Sequence, residues 1–97
     1  MGKVYLNQNS LRLKVDTGVD ITGATTRLIK YKKPDATAGQ FIATADTPTT
    51  AGIIYYDFVN TELDQEGVWT MWSYVTFADA RSAPGEPFKL IVYVEGE

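Results

Sequence analysis

The sequence contains no cysteine and no histidine among its 97 residues. Without cysteine the chain cannot form a disulfide bond or use a thiolate nucleophile, and without histidine it cannot build a His-based catalytic triad. Both residues are also the usual protein ligands of zinc and of haem iron. Thiolate and His-based catalysis, and zinc or haem sites with these ligands, are therefore excluded, and no other pattern in the sequence leads us to predict a cofactor or a metal.

An excess of positive charge and long apolar runs are also absent. Nine basic residues stand against twelve acidic ones, for a formal net charge of -3. A mildly acidic chain lacks the basic surface that nucleic acids and anionic lipids require. No apolar run is long enough to span a bilayer, and the first residues lack the apolar core of a secretion signal. The predicted partners therefore exclude nucleic acid and membrane, and we expect synthesis in the cytoplasm.

What the chain does contain is enough apolar material for one core. Hydrophobic residues make up 44% of the sequence and aromatic residues 12%. This composition is typical of a packed globular domain rather than a disordered segment, and the length suits a single domain with two layers. We predict one domain over residues 1–97.

Apolar and polar residues alternate with a period of two in most segments, and no segment has helical periodicity. Turn residues such as glycine, proline and asparagine separate these segments. This pattern predicts an all-β chain folded as a sandwich of about seven strands. The predicted strands are Lys3–Leu6, Ser10–Asp16, Ala24–Lys33, Gln40–Asp46, Gly52–Val59, Val68–Phe77 and Glu86–Val94.

In the third strand Leu28 and Ile29 are adjacent, which leaves the phase ambiguous. We favour Ile29 and Tyr31 facing inward, with a bulge nearer Ala24.

The last two strands can be registered as a hairpin around a polar loop from Ala78 to Gly85. In this register, large inward side chains of one strand lie opposite medium-sized inward side chains of the other, which suits a packed core. The predicted inward pairs are Trp69–Val94, Met71–Val92, Ser73–Leu90 and Val75–Phe88, and the predicted core residues are Trp69, Met71, Val75, Phe88, Leu90 and Val92.

The same register places large side chains on the outer face of the hairpin. Trp72 lies opposite Ile91 and Thr70 opposite Tyr93, with Tyr74 beside Lys89. Trp72, Tyr74, Ile91 and Tyr93 are therefore the candidate interface, because an exposed surface of this kind is unusual for a monomer. Two plainer alternatives remain open: loops or the first strand cover these residues, or the phase is wrong by one residue.

Three polar clusters have simpler interpretations. The carboxylates Glu62, Asp64 and Glu66 suit a capped turn better than an acid–base pair or a calcium site. The segment Asp16–Asp20 lacks the third acid and distal glutamate of an EF-hand loop, so it is expected to be a turn. The basic cluster of Arg27, Lys30, Lys32 and Lys33 alternates along a strand, which sends its side chains to opposite faces.

Three segments resemble a known family: Asp20–Ala24, Ile29–Asp35 and Leu63–Met71. The chain is similar in pattern to small immunoglobulin-like structural proteins of tailed bacteriophages and prophages, such as the amino-terminal domain of the upper baseplate protein of lactococcal phages. It departs from that pattern at Ala36, where a glycine is common. It also departs from antibody-type domains at Met71, where they have a cysteine.

The resemblance implies an immunoglobulin-like antiparallel β-sandwich that acts as a non-catalytic structural subunit of a phage virion. The implied location is the virion, in the tail, the baseplate or the capsid exterior. The implied partners are other virion proteins, with the chain forming a homo-oligomer. The alternative is a carbohydrate- or host-surface-binding module that would use the same aromatic residues to stack on sugar rings.

Overall fold

The computed structural model describes residues 4–9, 11–59 and 62–96. Within these ranges the chain forms nine strands and one short 3-10 turn at Thr49–Ala51. The strands are β1 (Val4–Tyr5), β2 (Arg12–Asp16), β3 (Ala24–Lys32), β4 (Ala38–Ile42), β5 (Thr44–Ala45), β6 (Ile53–Asp57), β7 (Gly67–Phe77), β8 (Ser82–Pro84) and β9 (Phe88–Tyr93). The described residues contain no helix that could cross a membrane.

Two sheets form the layers of a sandwich. The larger sheet has the order β1-β9-β7-β3-β4, with β8 also paired to β7, and the smaller sheet has the order β2-β6-β5. Every pairing is antiparallel except that of β1 with β9. The smaller sheet corresponds to strands B, E and D of an immunoglobulin domain, and the centre of the larger sheet to strands C, F and G. The predicted fold class, an immunoglobulin-like β-sandwich, is confirmed.

The strand count differs from the prediction at two places. The predicted strand Gln40–Asp46 is divided into β4 and β5, because Ile42 pairs with the larger sheet whereas Thr44 pairs with the smaller one. The predicted polar loop from Ala78 to Gly85 contains the additional strand β8. The predicted starts at Lys3 and Ser10 lie outside the described residues.

The core lies between the sheets and is built from alternate residues of each strand. Trp69, Met71, Val75 and Val92 are buried as predicted, while Phe88 and Leu90 are partly buried and pack against the same cluster. The smaller sheet contributes Val15, Ile54 and Tyr56, Phe58 follows directly after β6, and the larger sheet adds Ile29, Tyr31 and Phe41.

The phase and the irregularity predicted for β3 are both confirmed. Ile29 is fully buried, and the ring of Tyr31 lies 4.7 Å from that of Phe41 and 5.3 Å from that of Trp69. The register against β7 shifts between Ala24 and Thr26, which is the signature of a bulge.

The predicted register of the last two strands is wrong. Trp69 lies opposite Leu90 and Met71 opposite Phe88, so the pairing is displaced by four residues from the predicted ladder. The physical reason is β8, which occupies the edge of the second half of β7 and pairs Val75 with Ala83. Only the first half of β7 remains for β9. Because the displacement is even, every side chain stays on the face predicted for it.

The β3–β4 hairpin is fastened to the corner that precedes β7. The Lys33 amine lies 2.9 Å from the Asp64 carboxylate, and Gln65 Nε2 donates to Asp35 Oδ2 at 2.8 Å. Trp69 Nε1 in turn donates to the Gln65 carbonyl at 2.9 Å. Asp64, by accepting the hydrogen bond, raises the pKa of Lys33 above its ordinary value, although burial acts in the opposite direction. These contacts fix the start of β7 and therefore its position in the sheet.

Candidate functional site

The outer face of the larger sheet carries an apolar surface. On β7 the residues that alternate with the buried set are Val68, Thr70, Trp72, Tyr74 and Thr76. Three aliphatic side chains on this face are strongly exposed: Ile42 at 76%, Ile91 at 47% and Val68 at 44%. We call the outward positions of β3, β4, β7 and β9, together with Tyr5 of β1, the outer face.

The four predicted interface residues all lie on the outer face, but in two groups rather than one. Ile91 is opposite Val68 instead of Trp72, because of the displaced register. Trp72 and Ile91 are therefore separated by four residues along the sheet, or about 13 Å at the usual rise of a strand. Thr70, opposite Lys89 rather than Tyr93, lies between the groups.

The first group is centred on Trp72 and Tyr74, both partly exposed. Tyr74 lies beside Leu28 of β3, which lies beside Ile42 of β4. Leu28 is almost fully buried between these neighbours, whereas Ile42 faces solvent at the sheet edge. Tyr74 was predicted beside Lys89, but its neighbours are Leu28 and Pro84.

The second group contains Ile91 and Tyr93, together with Val68 and Tyr5. Tyr5 is the parallel neighbour of Tyr93, and the centres of the two rings are 6.4 Å apart. The first strand thus extends this group sideways and leaves Ile91 uncovered, at 47% exposure. Of the four predicted residues, Ile91 is exposed and Trp72, Tyr74 and Tyr93 are partly exposed, so none of them is buried under the chain's own loops or first strand.

Lysine is the only charged residue on the outer face. The six strands of the larger sheet contain no aspartate and no glutamate, and their outward positions include Lys30, Lys32 and Lys89. The amine of Lys30 lies 4.0 Å from the centre of the Tyr74 ring. Within the described residues, none of these three lysines forms an ion pair with a carboxylate. The outer face is therefore both apolar and cationic.

The outer face of the smaller sheet is different in kind. Arg12 makes a two-bonded ion pair with Asp57, at 2.7 and 2.9 Å, and Lys14 lies 3.1 Å from Asp46. The Arg12 guanidinium also covers the ring of Tyr55. The hydrogen bond from Lys14 lowers the pKa of the Asp46 carboxyl below its ordinary value, and the bond from Arg12 does the same for Asp57. On this face each basic side chain has a carboxylate partner.

A groove runs beside β2, which is the edge strand of the smaller sheet. Its volume is about 600 Å³, and Leu13, Val15, Phe88 and Leu90 line it. In an antiparallel pair, alternate residues direct their backbone groups toward the partner strand. Because Thr17 N donates to Gly52 O, the backbone groups of Arg12, Lys14 and Asp16 point away from β6 and toward this open edge.

The three polar clusters singled out in the sequence serve the fold. Glu62 accepts hydrogen bonds from the Tyr56 hydroxyl at 2.5 Å and from the Val59 amide at 2.7 Å. Burial, and then the bond to Glu62, raise the pKa of Tyr56 to about 12. Asp64 pairs with Lys33, whereas Glu66 is exposed. The acidic corner is therefore occupied by structural contacts.

The segment from Asp16 to Asp20 is a turn, as its sequence predicted. Asp16 Oδ1 accepts from the Gly18 amide, and Asp20 Oδ1 accepts from the Thr22 amide, both at 2.9 Å. In the described ranges, no three acidic residues gather in a way that could hold a metal ion.

The basic cluster on β3 is divided between the faces by strand alternation. Arg27 turns toward the end of the core, where its Nη1 donates to the Ala24 carbonyl at 3.0 Å and its Nε is buried without a partner. Lys30 and Lys32 belong to the outer face, and Lys33 reaches Asp64. The cluster forms no continuous basic platform.

Sequence reasoning missed Val68, Leu28 and Ile42 as members of the outer face. All three occupy the outward phase of their strands, so alternation alone could have placed them there. Only the pairing of β3 with both β4 and β7 brings Leu28 between Ile42 and Tyr74. That long-range order cannot be read from the individual strands.

Comparison with solved structures finds similarity to CopC from Methylosinus trichosporium OB3b, with a TM-score of 0.59. The alignment covers 100% of this chain and 89% of that chain, at 12% sequence identity. Identity this low shows the fold alone. No family model matches the chain. No curated protein matches it either.

These comparisons correct the family assignment. The predicted membership in the phage structural proteins is wrong, because no model of such a family matches and the similar structure is CopC. The predicted function as a virion subunit and the predicted virion location are wrong with it. The carbohydrate-binding alternative has no support from the comparisons. The shared feature that these findings establish is a β-sandwich.

Proposed function

We propose that the protein is a non-catalytic binding domain that presents its outer face to another protein. One observation carries the proposal: Ile42, Val68 and Ile91 are exposed on the same sheet that displays Trp72 and Tyr74. Soluble monomers rarely expose large apolar surfaces without a role, and such surfaces mark interaction sites.

The kind of side chain also favours protein contact. Tryptophan and tyrosine are enriched in interface cores, where they provide a large contact area at low cost in conformational entropy. Trp72 and Tyr74 extend from the centre of β7, which is held on one side by β3 and on the other by β8 and β9. The surface is therefore rigid before binding, which reduces the entropic cost of association.

The absence of catalysis is part of the same proposal. The chain has neither histidine nor cysteine, so general acid–base or nucleophilic chemistry would depend on carboxylates, lysines, tyrosines and hydroxyls. The acidic corner that offered the best carboxylate cluster is engaged by Tyr56, Val59 and Lys33. It lies at the end of the sandwich, away from the groove beside β2.

A comparison of two matched variants tests the proposal. Trp72→Ser removes an aromatic ring from the outer face, and Tyr55→Ser removes one from the opposite face, so both lose a ring from a central strand. Each immobilised protein is exposed to cell extract, and retained proteins are identified by mass spectrometry. Sedimentation velocity measures self-association in parallel.

We expect wild type and Tyr55→Ser to retain the same protein, or to associate to the same degree, and Trp72→Ser to lose that contact. Circular dichroism checks that both variants are folded. A retained set that is unchanged in Trp72→Ser contradicts the proposal. So does a wild type that stays monomeric and retains nothing.

A further inference from the structure

The charge of the outer face points to the chemistry of its partner, provided that the proposed binding role of this face is correct. Lys30, Lys32 and Lys89 are the charged residues of the outer face, and its strands contain no carboxylate. Elsewhere in the chain, six basic residues stand against twelve acidic ones. An acidic protein thus carries, on this apolar surface, three positive charges that have no carboxylate partner among the described residues.

The two faces of the sandwich differ in whether their basic side chains have carboxylate partners. On the smaller sheet Arg12 and Lys14 are neutralised by Asp57 and Asp46. On the larger sheet the three lysines have no carboxylate partner among the described residues. Uncompensated charge at an interface is unfavourable unless the partner supplies the opposite charge.

We infer that the outer face binds an acidic protein segment whose carboxylates alternate with apolar side chains. The carboxylates pair with Lys30, Lys32 and Lys89, which lie in the band between and beside the two apolar groups. The apolar side chains pack on Trp72 and on Ile91 with its neighbours. Complementary charge fixes the register, and apolar burial supplies most of the affinity.

A second copy of the chain fits this face less well. Symmetric face-to-face association brings two sets of three lysines into one contact, and like charges across an interface are repulsive. A single nucleic-acid strand would satisfy the charge, but it would leave Ile42, Val68 and Ile91 without apolar contacts. Stacking platforms for single strands rely on aromatic rings over a positively charged groove.

The two tryptophans provide a built-in probe of the local charge. Trp69 is fully buried, so quenchers that remain in water reach Trp72. Iodide is attracted to a cationic surface and caesium is repelled by it. Iodide is intrinsically the stronger quencher of indole, so each quenching constant is divided by that of free N-acetyltryptophanamide. We expect the normalised constant to be at least twofold larger for iodide than for caesium, and the difference to disappear in the triple variant Lys30→Gln, Lys32→Gln, Lys89→Gln. Equal normalised constants in the wild type would overturn the inference.

Binding is tested with synthetic dodecapeptides that differ in charge alone. One alternates glutamate with leucine, and a matched one alternates glutamine with leucine. We expect the glutamate peptide to bind at least tenfold more tightly at 50 mM salt and to lose that advantage at 500 mM, because salt screens exposed charges. The triple lysine variant should lose the preference, while Lys14→Gln on the opposite face should keep it.

The other outcomes separate this inference from the proposed function. If both peptides bind equally and Trp72→Ser weakens both, the binding role stands and the acidic partner is wrong. If neither peptide binds, the acidic partner is wrong, and the extract and sedimentation experiments on Trp72→Ser decide the binding role separately. Tighter binding of the oligonucleotide dT12 than of the glutamate peptide, or a doubled mass at micromolar concentration, also overturns the acidic protein partner.

Discussion

Gly85 lies directly against the side chain of Ser73. The Gly85 amide donates to the Ser73 carbonyl at 2.8 Å, and a Cβ atom added at Gly85 would collide with Ser73 Oγ. That hydroxyl is itself buried without a hydrogen-bond partner. The contact lies where β8 ends and the chain turns into β9, so it joins the two segments that determine the register of β7.

Gly85→Ala should therefore destabilise the domain by about 1–3 kcal/mol, because the extra methyl group has no space. Ser73→Ala should be neutral or stabilising by up to about 1 kcal/mol, since it removes a hydroxyl whose burial is not compensated. Urea unfolding measures both. In the Ser73→Ala background the cost of Gly85→Ala should fall by at least half, because the colliding oxygen is gone. If the changes in the free energy of unfolding of the two single variants simply add in the double variant, the collision between Gly85 and Ser73 Oγ is contradicted.

Tyr56 gives the protein a dependence on alkaline pH. Its pKa is about 12 in the folded state, against about 10 in an unfolded chain. The contribution to stability is complete below about pH 10 and is lost as the pH rises toward about 12, because the unfolded state releases the proton first. Tyr56→Phe should flatten this decline in the free energy of unfolding. Tyr55→Phe, on the other face of the same strand, should retain it.

Asp35 makes the stability of the domain depend on pH in the acidic range. Its pKa is lowered from 3.8 by the hydrogen bond from the Thr37 amide, next by that from the Thr37 side chain, and then by the bond from Gln65. Its stabilising contribution is present above the unfolded value and is lost as the pH falls through the lowered folded value. Asp35→Asn keeps an oxygen for the Thr37 amide but removes the charge. Urea unfolding between about pH 5 and pH 2 should show a shallower loss of stability in this variant. The exposed control Glu66→Gln should follow the wild type.

Ala36 has a left-handed backbone, with φ of 72°. Residues with a Cβ atom are strained in this conformation by about 1–2 kcal/mol, whereas glycine adopts it freely. Ala36→Gly should stabilise the domain by about 0.5–1 kcal/mol after the greater entropy of the unfolded glycine chain is subtracted. Ala38→Gly, in β4, should instead destabilise it by about 0.5–1 kcal/mol. Thermal and urea unfolding compare the two.

The class of fold and the face of nearly every strand residue could be predicted from the sequence, because the alternation of apolar and polar residues with a period of two is a local property. It placed Trp69 inside and Trp72 outside, and the structure agrees on both. The register could not be predicted in the same way, since a displacement by four residues preserves that pattern. The segment Ser82–Pro84 also has too little apolar alternation to be recognised as a strand. Its pairing depends on the edge that β7 offers it.

The family resemblance failed for a related physical reason. The matching segments Asp20–Ala24, Ile29–Asp35 and Leu63–Met71 consist of turn and strand residues. In the structure, Lys33 and Asp35 of the second segment hold Asp64 and Gln65 of the third. Such contacts hold a hairpin against a neighbouring turn, and a β-sandwich needs them whatever its function is. The resemblance therefore carried information about the fold and none about the role.

The open edge of β2 has a consequence for how copies of this molecule behave at high concentration. Its backbone groups are available to any passing strand, which is the usual beginning of sheet-to-sheet polymerisation. Arg12, Lys14 and Asp16 are the residues of β2 whose backbone groups face that edge, and the side chains of Arg12 and Lys14 are already paired with carboxylates. An arriving strand would have to accommodate three charged residues there, so edge-to-edge pairing of copies at β2 is discouraged.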